Sequence, residues 1–329
     1  MRMTLPQAVS GLYVSHIAEF LLRTDILDHL RRNLTVEEIA RLNGYDVSTL
    51  RMLLEFVAVK CDLLERTSIG EFKIADTYAD RARLNHLLSQ YVGAYGPCLL
   101  SIEQIVANPS IGMALKNSKQ HAAAFSGDEP DRRLVDIVED LAFDYVVDLG
   151  CGGGQLLNSL ARERPSICGV GIDINAMAIE TAKNSAHASQ LSRRITYLVG
   201  DFRKVLAALS PEQLTRVDAV VASNVLNEFF ANPSGAEVVE VLTQLRRFFP
   251  GALLIVSDYY GRLGTPLSAC PRWHPTITHD LAQVLSGQGV PPSGPDEWAD
   301  IYARASCLLV GRIEGETDGI AWFVHLVRM

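Results

Sequence analysis

The run Asp148-Leu149-Gly150-Cys151-Gly152-Gly153-Gly154 constrains this chain more than any other stretch. It follows the apolar residues Tyr145-Val146-Val147 directly and leads into helix-like sequence over residues 155–161. A buried strand, a glycine turn and a helix start, in that order, leave backbone N–H groups facing outward with no side chain to hold a ligand off the main chain. A dinucleotide fingerprint needs a further glycine three residues after the second of Gly-x-Gly. Counted from Gly150 and Gly152, that place holds Gln155, a poor match to NAD. Asp148 at the strand end would repel a pyrophosphate and suits a ligand that carries positive charge.

The turn resembles motif I of class I S-adenosylmethionine-dependent methyltransferases, whose common pattern is acidic-x-Gly-x-Gly; the cofactor carries both an ammonium and a sulfonium. Three further features stand in the order that this resemblance requires. Gly169-Val170-Gly171-Ile172-Asp173 reads as a second strand ending in a carboxylate, about 20 residues after the turn, where an acid can accept both ribose hydroxyls. Ile174 follows it. Tyr197-Leu198-Val199-Gly200-Asp201-Phe202 reads as a third strand, with Asp201 placed for the adenine amino group beside the Phe202 ring. Residues 217–222, with Ser223-Asn224 after them, read as a fourth strand opening toward the substrate. The resemblance therefore implies a cofactor site made of Asp148, Gly150, Gly152, Asp173, Ile174, Asp201, Phe202, Ser223 and Asn224. For Asp173 and Asp201 the alternative is helix capping or turn chemistry.

At 329 residues the chain is long enough for two domains with ordinary cores. A net charge of −8 argues against a nucleic-acid footprint, which requires a basic face. Residues 1–30 carry Gln7, Ser10, His16 and Glu19 among their apolar positions, so they lack the unbroken apolar core of a signal peptide. No segment approaches the length of a membrane-spanning helix. The six cysteines (Cys61, Cys98, Cys151, Cys168, Cys270 and Cys307) are scattered, without a Cys-x-x-Cys pair, as expected of reduced thiols in a cytosolic protein.

Residues 5–23 place Val9, Leu12, Val14, Ile17, Phe20 and Leu21 around a helix whose apolar face is too broad for water. Thr35-Val36-Glu37-Glu38 is a capping box that opens a short helix, and a second helix over 46–60 follows the Asn43-Gly44 turn. Extended runs at 63–66 and 71–74 complete a winged-helix pattern. Its second helix offers one arginine, Arg51, amid apolar residues, too few donors for reading DNA. Ahead of a methyltransferase domain this arrangement resembles the small-molecule O-methyltransferase type, in which the winged helix dimerises. The resemblance implies a homodimer and three parts: a winged-helix dimerisation domain over 1–85, a helical linker and pocket roof over 86–140 with a loop around 117–131, and a doubly wound, Rossmann-like α/β methyltransferase domain over 141–329. Residues 307–312 and 320–327 read as its closing antiparallel hairpin.

Methyl transfer from a sulfonium has a good leaving group, so the protein mainly positions the acceptor and makes it nucleophilic. In plant-type and bacterial O-methyltransferases the stretch after the fourth strand commonly reads Leu-His-Asp-Trp, with the histidine as base. Here it reads Leu226-Asn227-Glu228-Phe229, and Asn227 cannot take a proton at neutral pH. After the fifth strand, Trp273-His274-Pro275-Thr276-Ile277-Thr278-His279-Asp280, followed by Asp296-Glu297-Trp298, resembles the α-keto acid C-methyltransferases of peptide-antibiotic pathways. That resemblance implies C-methylation of a 2-oxo acid such as phenylpyruvate or 2-ketoarginine, with His279 as base or as ligand of a divalent metal. Glu228 is the other candidate, and His274, before a proline, reads as structural. The alternatives are O- or N-methylation of a small aromatic or polyketide-like acceptor, a ligand-sensing winged-helix regulator, and an NAD-dependent oxidoreductase.

Overall fold

The computed structural model describes residues 3–125, 130–209, 214–266, 275–317 and 320–329, and divides into two compact units: Met1–Pro97 with Asn117–Ser126, and Cys98–Lys116 with Gly127–Met329. Among the described residues no helix is long and apolar enough to cross a membrane.

In the first unit, helix Leu5–Arg23 opens on a capping box in which the Thr4 hydroxyl accepts the Gln7 N–H and the Gln7 side chain accepts the Thr4 N–H. Its last turns bury Ala18, Leu21 and Leu22, while Leu5, Val9, Leu12 and Tyr13 stay exposed. Thr35 and Glu38 form the expected box ahead of helix Val36–Asn43. Gly44 ends that helix at φ +70°, a conformation that costs glycine nothing, and Asp46 caps the next, Val47–Lys60. Strands β1 (Leu64–Arg66) and β2 (Phe72–Ile74) pair antiparallel as the wing. Leu27, Ile39, Leu54 and Phe72 share the core of this unit. Arg51 is held by Glu37 at 2.7 Å, with Glu71 at 3.6 Å.

Residues 86–140 do not stand apart as one linker. Residues 86–97 and 117–125 go with the first unit and residues 98–116 and 130–140 with the second. Part of the loop expected around 117–131 is helical, over Ser118–Ala124. The Asn117 side chain caps it by accepting the Gln120 N–H, and its three alanines favour the helix.

In the second unit, short and almost wholly apolar runs demand cover on both faces. β3 (Tyr145–Leu149), β4 (Cys168–Asp173), β5 (Ile195–Val199), β6 (Ala219–Ser223) and β7 (Leu253–Tyr259) are parallel. β8 (Leu308–Thr317) and β9 (Ile320–Arg328) form the antiparallel hairpin, in the order β5-β4-β3-β6-β7-β9-β8. Successive side chains alternate between two cores. Val147, Val220 and Leu254 pack with Leu242 and Trp298 on one face, and Val146, Val221 and Ile255 with Leu157 and Leu160 on the other. Truncating a side chain as enclosed as Leu160 to alanine costs about 2–5 kcal/mol. The doubly wound sheet is the expected fold, and strand order reverses between β3 and β6. Ligands bind outside the carboxyl ends of the strands at such a reversal.

Candidate active site

The glycine turn leaves β3 at that reversal. Gly150 sits at φ +66°, and a Cβ there would lie 2.5 Å from Val225 Cγ2. Gly152, at φ +51°, has open space where a Cβ would point, which makes it the residue over which a ligand can approach the backbone. Asp173, at the end of β4, fixes the turn: its Oδ2 accepts the Gly152 N–H at 2.9 Å and its Oδ1 accepts the Asn175 N–H at 2.7 Å. The turn chemistry weighed from sequence is thus present. The carboxylate is half-buried, and each oxygen has capacity for a further bond. Ile174, directly after β4, is 78% exposed, and Val199, paired with Asp173 at the end of β5, is exposed as well.

Asp201 caps helix Phe202–Ala207. Its Oδ1 accepts the Arg203 N–H, and the Arg203 guanidinium clasps both oxygens at 2.9–3.2 Å. The Arg203 bond, then the cap, hold its pKa below the usual carboxylate range. Asp201 thus caps this helix, and a ligand amino group would share it with Arg203. Phe202 is buried in the core, edge-on to Phe229 at 6.1 Å, and does not offer an open ring face. Ser223 ends β6, and Asn224 follows at φ +52°, a left-handed conformation that asparagine tolerates, with its N–H on Ser257 O at 2.8 Å.

Asp148 lies inside β3, buried, and its pKa is pushed up to about 8 by burial and then by Asp173. Burial, more than the Asp173 charge, thus favours the protonated form of Asp148, and a bound cation beside it would favour the ionised form.

On the acceptor side, the chain after β6 forms a single turn over Leu226–Phe229. Asn227 is buried there. Its N–H donates to Asp258 Oδ2 at 3.0 Å, and its side-chain Oδ1 has no hydrogen-bond partner. Asp258, at the end of β7, is pushed up to about 7 by burial, against the donated N–H groups of Tyr259 and Asn227. Glu228 projects beside Lys116, with Nζ–Oε1 at 3.8 Å; 39% of the Glu228 side-chain surface is open but only 8% of that of Lys116. Burial raises the Glu228 pKa, while Lys116 and then the Gln288 amide oppose the rise and Asp173 adds to it. Gln288 Nε2 is buried and has no hydrogen-bond partner of normal geometry.

His279 lies on helix Pro275–Leu285, its ring edge-on to Tyr259 at 4.9 Å and its Nε2 3.1 Å from Gln283 Nε2. Its neighbour Asp280 accepts Tyr259 OH at 3.0 Å and the N–H groups of Arg262 and Leu263 at 2.6 and 2.8 Å, tying down the loop after β7. Trp298, from the Asp-Glu-Trp segment, is a core residue, and Tyr260 packs against Phe323. His274 lies outside the described residues. Among the described residues no three His, Cys, Asp or Glu side chains converge as a metal requires. A wide cleft of about 1270 Å³ lined by Phe230, Leu263, Val290 and Ile301 is apart from the chemistry: neither the turn nor Glu228 nor His279 lines it.

Lys116, Gln288 and Asp258 escaped the sequence reading. Each is brought in by an element remote in the chain, and only the charge of Asp258 at the end of an apolar run was a usable signal.

Residues 144–283 match the family model described as a methyltransferase domain. A methyltransferase of Aspergillus campestris, ungE', is 31% identical over 174 residues, 50% of this chain and 48% of that protein. A release factor glutamine methyltransferase of Rhodospirillum rubrum is 40% identical over 62 residues, 19% of each. The chain thus spans about half the length of the first of these curated relatives and a fifth of the second. Among solved structures, the mitomycin 7-O-methyltransferase MmcR superposes with a TM-score of 0.71 at 16% identity, over 98% of this chain and 96% of that one. The O-methyltransferase NcsB1 of neocarzinostatin biosynthesis gives 0.63 at 18%, over 100% of both. At these identities the likeness is one of fold. The chain carries a methyltransferase domain.

Proposed function

We propose that the chain is an S-adenosylmethionine-dependent methyltransferase of secondary metabolism that methylates an acidic oxygen of a small aromatic or polyketide-like acceptor, with Glu228 taking the acceptor's proton. The observation that carries this reading is the placement of an open, proton-avid carboxyl at the same strand reversal as the open glycine turn.

The residues fit the cofactor. Gly150 and Gly152 give it the backbone, Asp173 has capacity for ribose hydroxyls, Ile174 covers the adenine, and the crowded carboxyls Asp148 and Asp173 favour a cation. When bound, S-adenosylmethionine supplies an electrophilic methyl group on a sulfonium. NcsB1, of like fold, was solved with that cofactor and 2-hydroxy-5-methyl naphthoic acid. Asn227, in the place where the resembled enzymes carry a basic histidine, is positioned through its backbone by Asp258. Glu228, next in sequence, is the neighbouring group able to accept a proton. A carboxyl with a raised pKa is a better base than an ordinary one.

C-methylation of a 2-oxo acid is a second reading, because an enolate needs a base together with a cation at its oxygen and Glu228 beside Lys116 would meet both needs. A screen of phenols and 2-oxo acids with methyl-labelled cofactor tests both. O-methyl products support the first reading, C-methyl products the second, and no transfer with cofactor bound contradicts both.

The exposed face of Leu5, Val9, Leu12 and Tyr13 supports a homodimer through the first unit. The five described cysteines are free thiols, which suits a cytoplasmic location.

A further inference from the structure

Lys116 ends the segment Cys98–Lys116, more than a hundred residues before Glu228, and this segment packs into the second unit on its own terms. A Cβ on Gly112 would lie 2.2 Å from Leu285 O, and Cys98 Sγ rests 3.6 Å from Gly112 O. The ammonium is thereby delivered, nearly sealed from water, to within 3.8 Å of the Glu228 carboxyl. An ammonium fixed at this range acts on a carboxyl through space without a hydrogen bond, and a sealed one is screened little by salt.

We propose, resting on Glu228 as the base, that Lys116 is a positioning residue that holds the Glu228 carboxyl in place and sets its proton affinity. The groups facing that carboxyl are the Lys116 ammonium, the carboxyls of Asp173 at the end of β4 and Asp258 at the end of β7, and the Gln288 amide. Asp173 raises the Glu228 pKa, and Glu228 in turn raises that of Asp258. The lysine is the cation that opposes the rise of the Glu228 pKa, and Cys98 is a further titratable group that acts on the lysine. The two shifts are opposite in sign and each favours the neutral form: burial lowers Lys116 against the pull of Glu228, and burial raises Glu228 against the pull of Lys116.

The test needs no acceptor. The full chain is labelled with carboxyl-¹³C glutamate, Glu228 is identified from the Glu228→Gln spectrum, and its midpoint is followed with pH. In Lys116→Met the midpoint should rise by about one pH unit or more, and Lys116→Arg, which keeps the charge, should restore it. An unmoved midpoint in folded Lys116→Met overturns the proposal. If Lys116→Met does not fold, Lys116→Gln serves the same comparison. With an acceptor in hand, the acid limb of kcat/KM in the lysine-to-methionine variant should move to higher pH by the same amount. Failure of the base reading looks different: Glu228→Gln would then turn over normally whatever Lys116 does to the titration.

Discussion

The two sides of the strand reversal are built in different ways. On the cofactor side, β3, β4 and their turns place Gly150, Gly152 and Asp173 within one local stretch, and main-chain N–H groups with a single carboxylate set the geometry. On the acceptor side, Asn227, Glu228, Asp258, Gln288 and Lys116 arrive from four separate segments, and side chains set it. Backbone sites tolerate little change in sequence, whereas side-chain sites can be rebuilt. That explains how a chain can keep the glycine turn of the resembled enzymes while replacing their histidine with Asn227.

The sharpest way to break this division is Glu228→Gln. Turnover should fall by roughly 100-fold or more, the scale of losing a general base, while calorimetry of S-adenosylmethionine binding stays as in the wild type. Next in size, Asp173→Ala should weaken that binding by about 1–3 kcal/mol, through lost charge-assisted bonds and a loosened Gly152 N–H. Unchanged affinity would separate Asp173 from the cofactor.

Asp148 sharpens the electrostatic half of the comparison. Its folded pKa of about 8 lies above that of an unfolded aspartate, so the fold holds a proton that the unfolded chain releases and ligand-free stability falls as pH rises from about 4 toward 8. Denaturant unfolding of Asp148→Asn should show a flatter pH dependence over that window. An identical slope in the two proteins would place the charge deficit elsewhere.

His279→Ala should cost less than about tenfold in turnover, since its ring packs on Tyr259 and its Nε2 meets Gln283. A loss of roughly 100-fold, beside an active Glu228→Gln, would return the base to His279. Smallest in effect on the fold, Leu12→Glu should leave stability within about 0.5 kcal/mol yet yield monomers in light scattering. A wild type already monomeric at micromolar concentration contradicts the dimer.

The same contrast governs what the sequence discloses. Glycine spacing, apolar runs and capping boxes are local, and from them the doubly wound sheet, the wing and the turn were legible, although the first strand of the closing hairpin runs to Thr317, five residues past its expected end. Asp201 shows the limit: an acid at a strand end reads first as a ligand, with a cap as the lesser alternative, and the Arg203 N–H bond displays the cap. Lys116 was illegible because nothing near it in the chain marks its ammonium as bound for a carboxyl 112 residues away. The loop expected around 117–131 misled because its small and polar residues also make an asparagine-capped, alanine-rich helix.

Two proposed roles stand at the centre: the turn binds the cofactor and Glu228 activates the acceptor. The most direct measurement is turnover of Asp173→Ala and Glu228→Gln at saturating S-adenosylmethionine with one acceptor. The account predicts that Asp173→Ala recovers most of the wild-type rate and Glu228→Gln stays depressed by roughly 100-fold or more. Recovery of both, or depression of both alike, would contradict it.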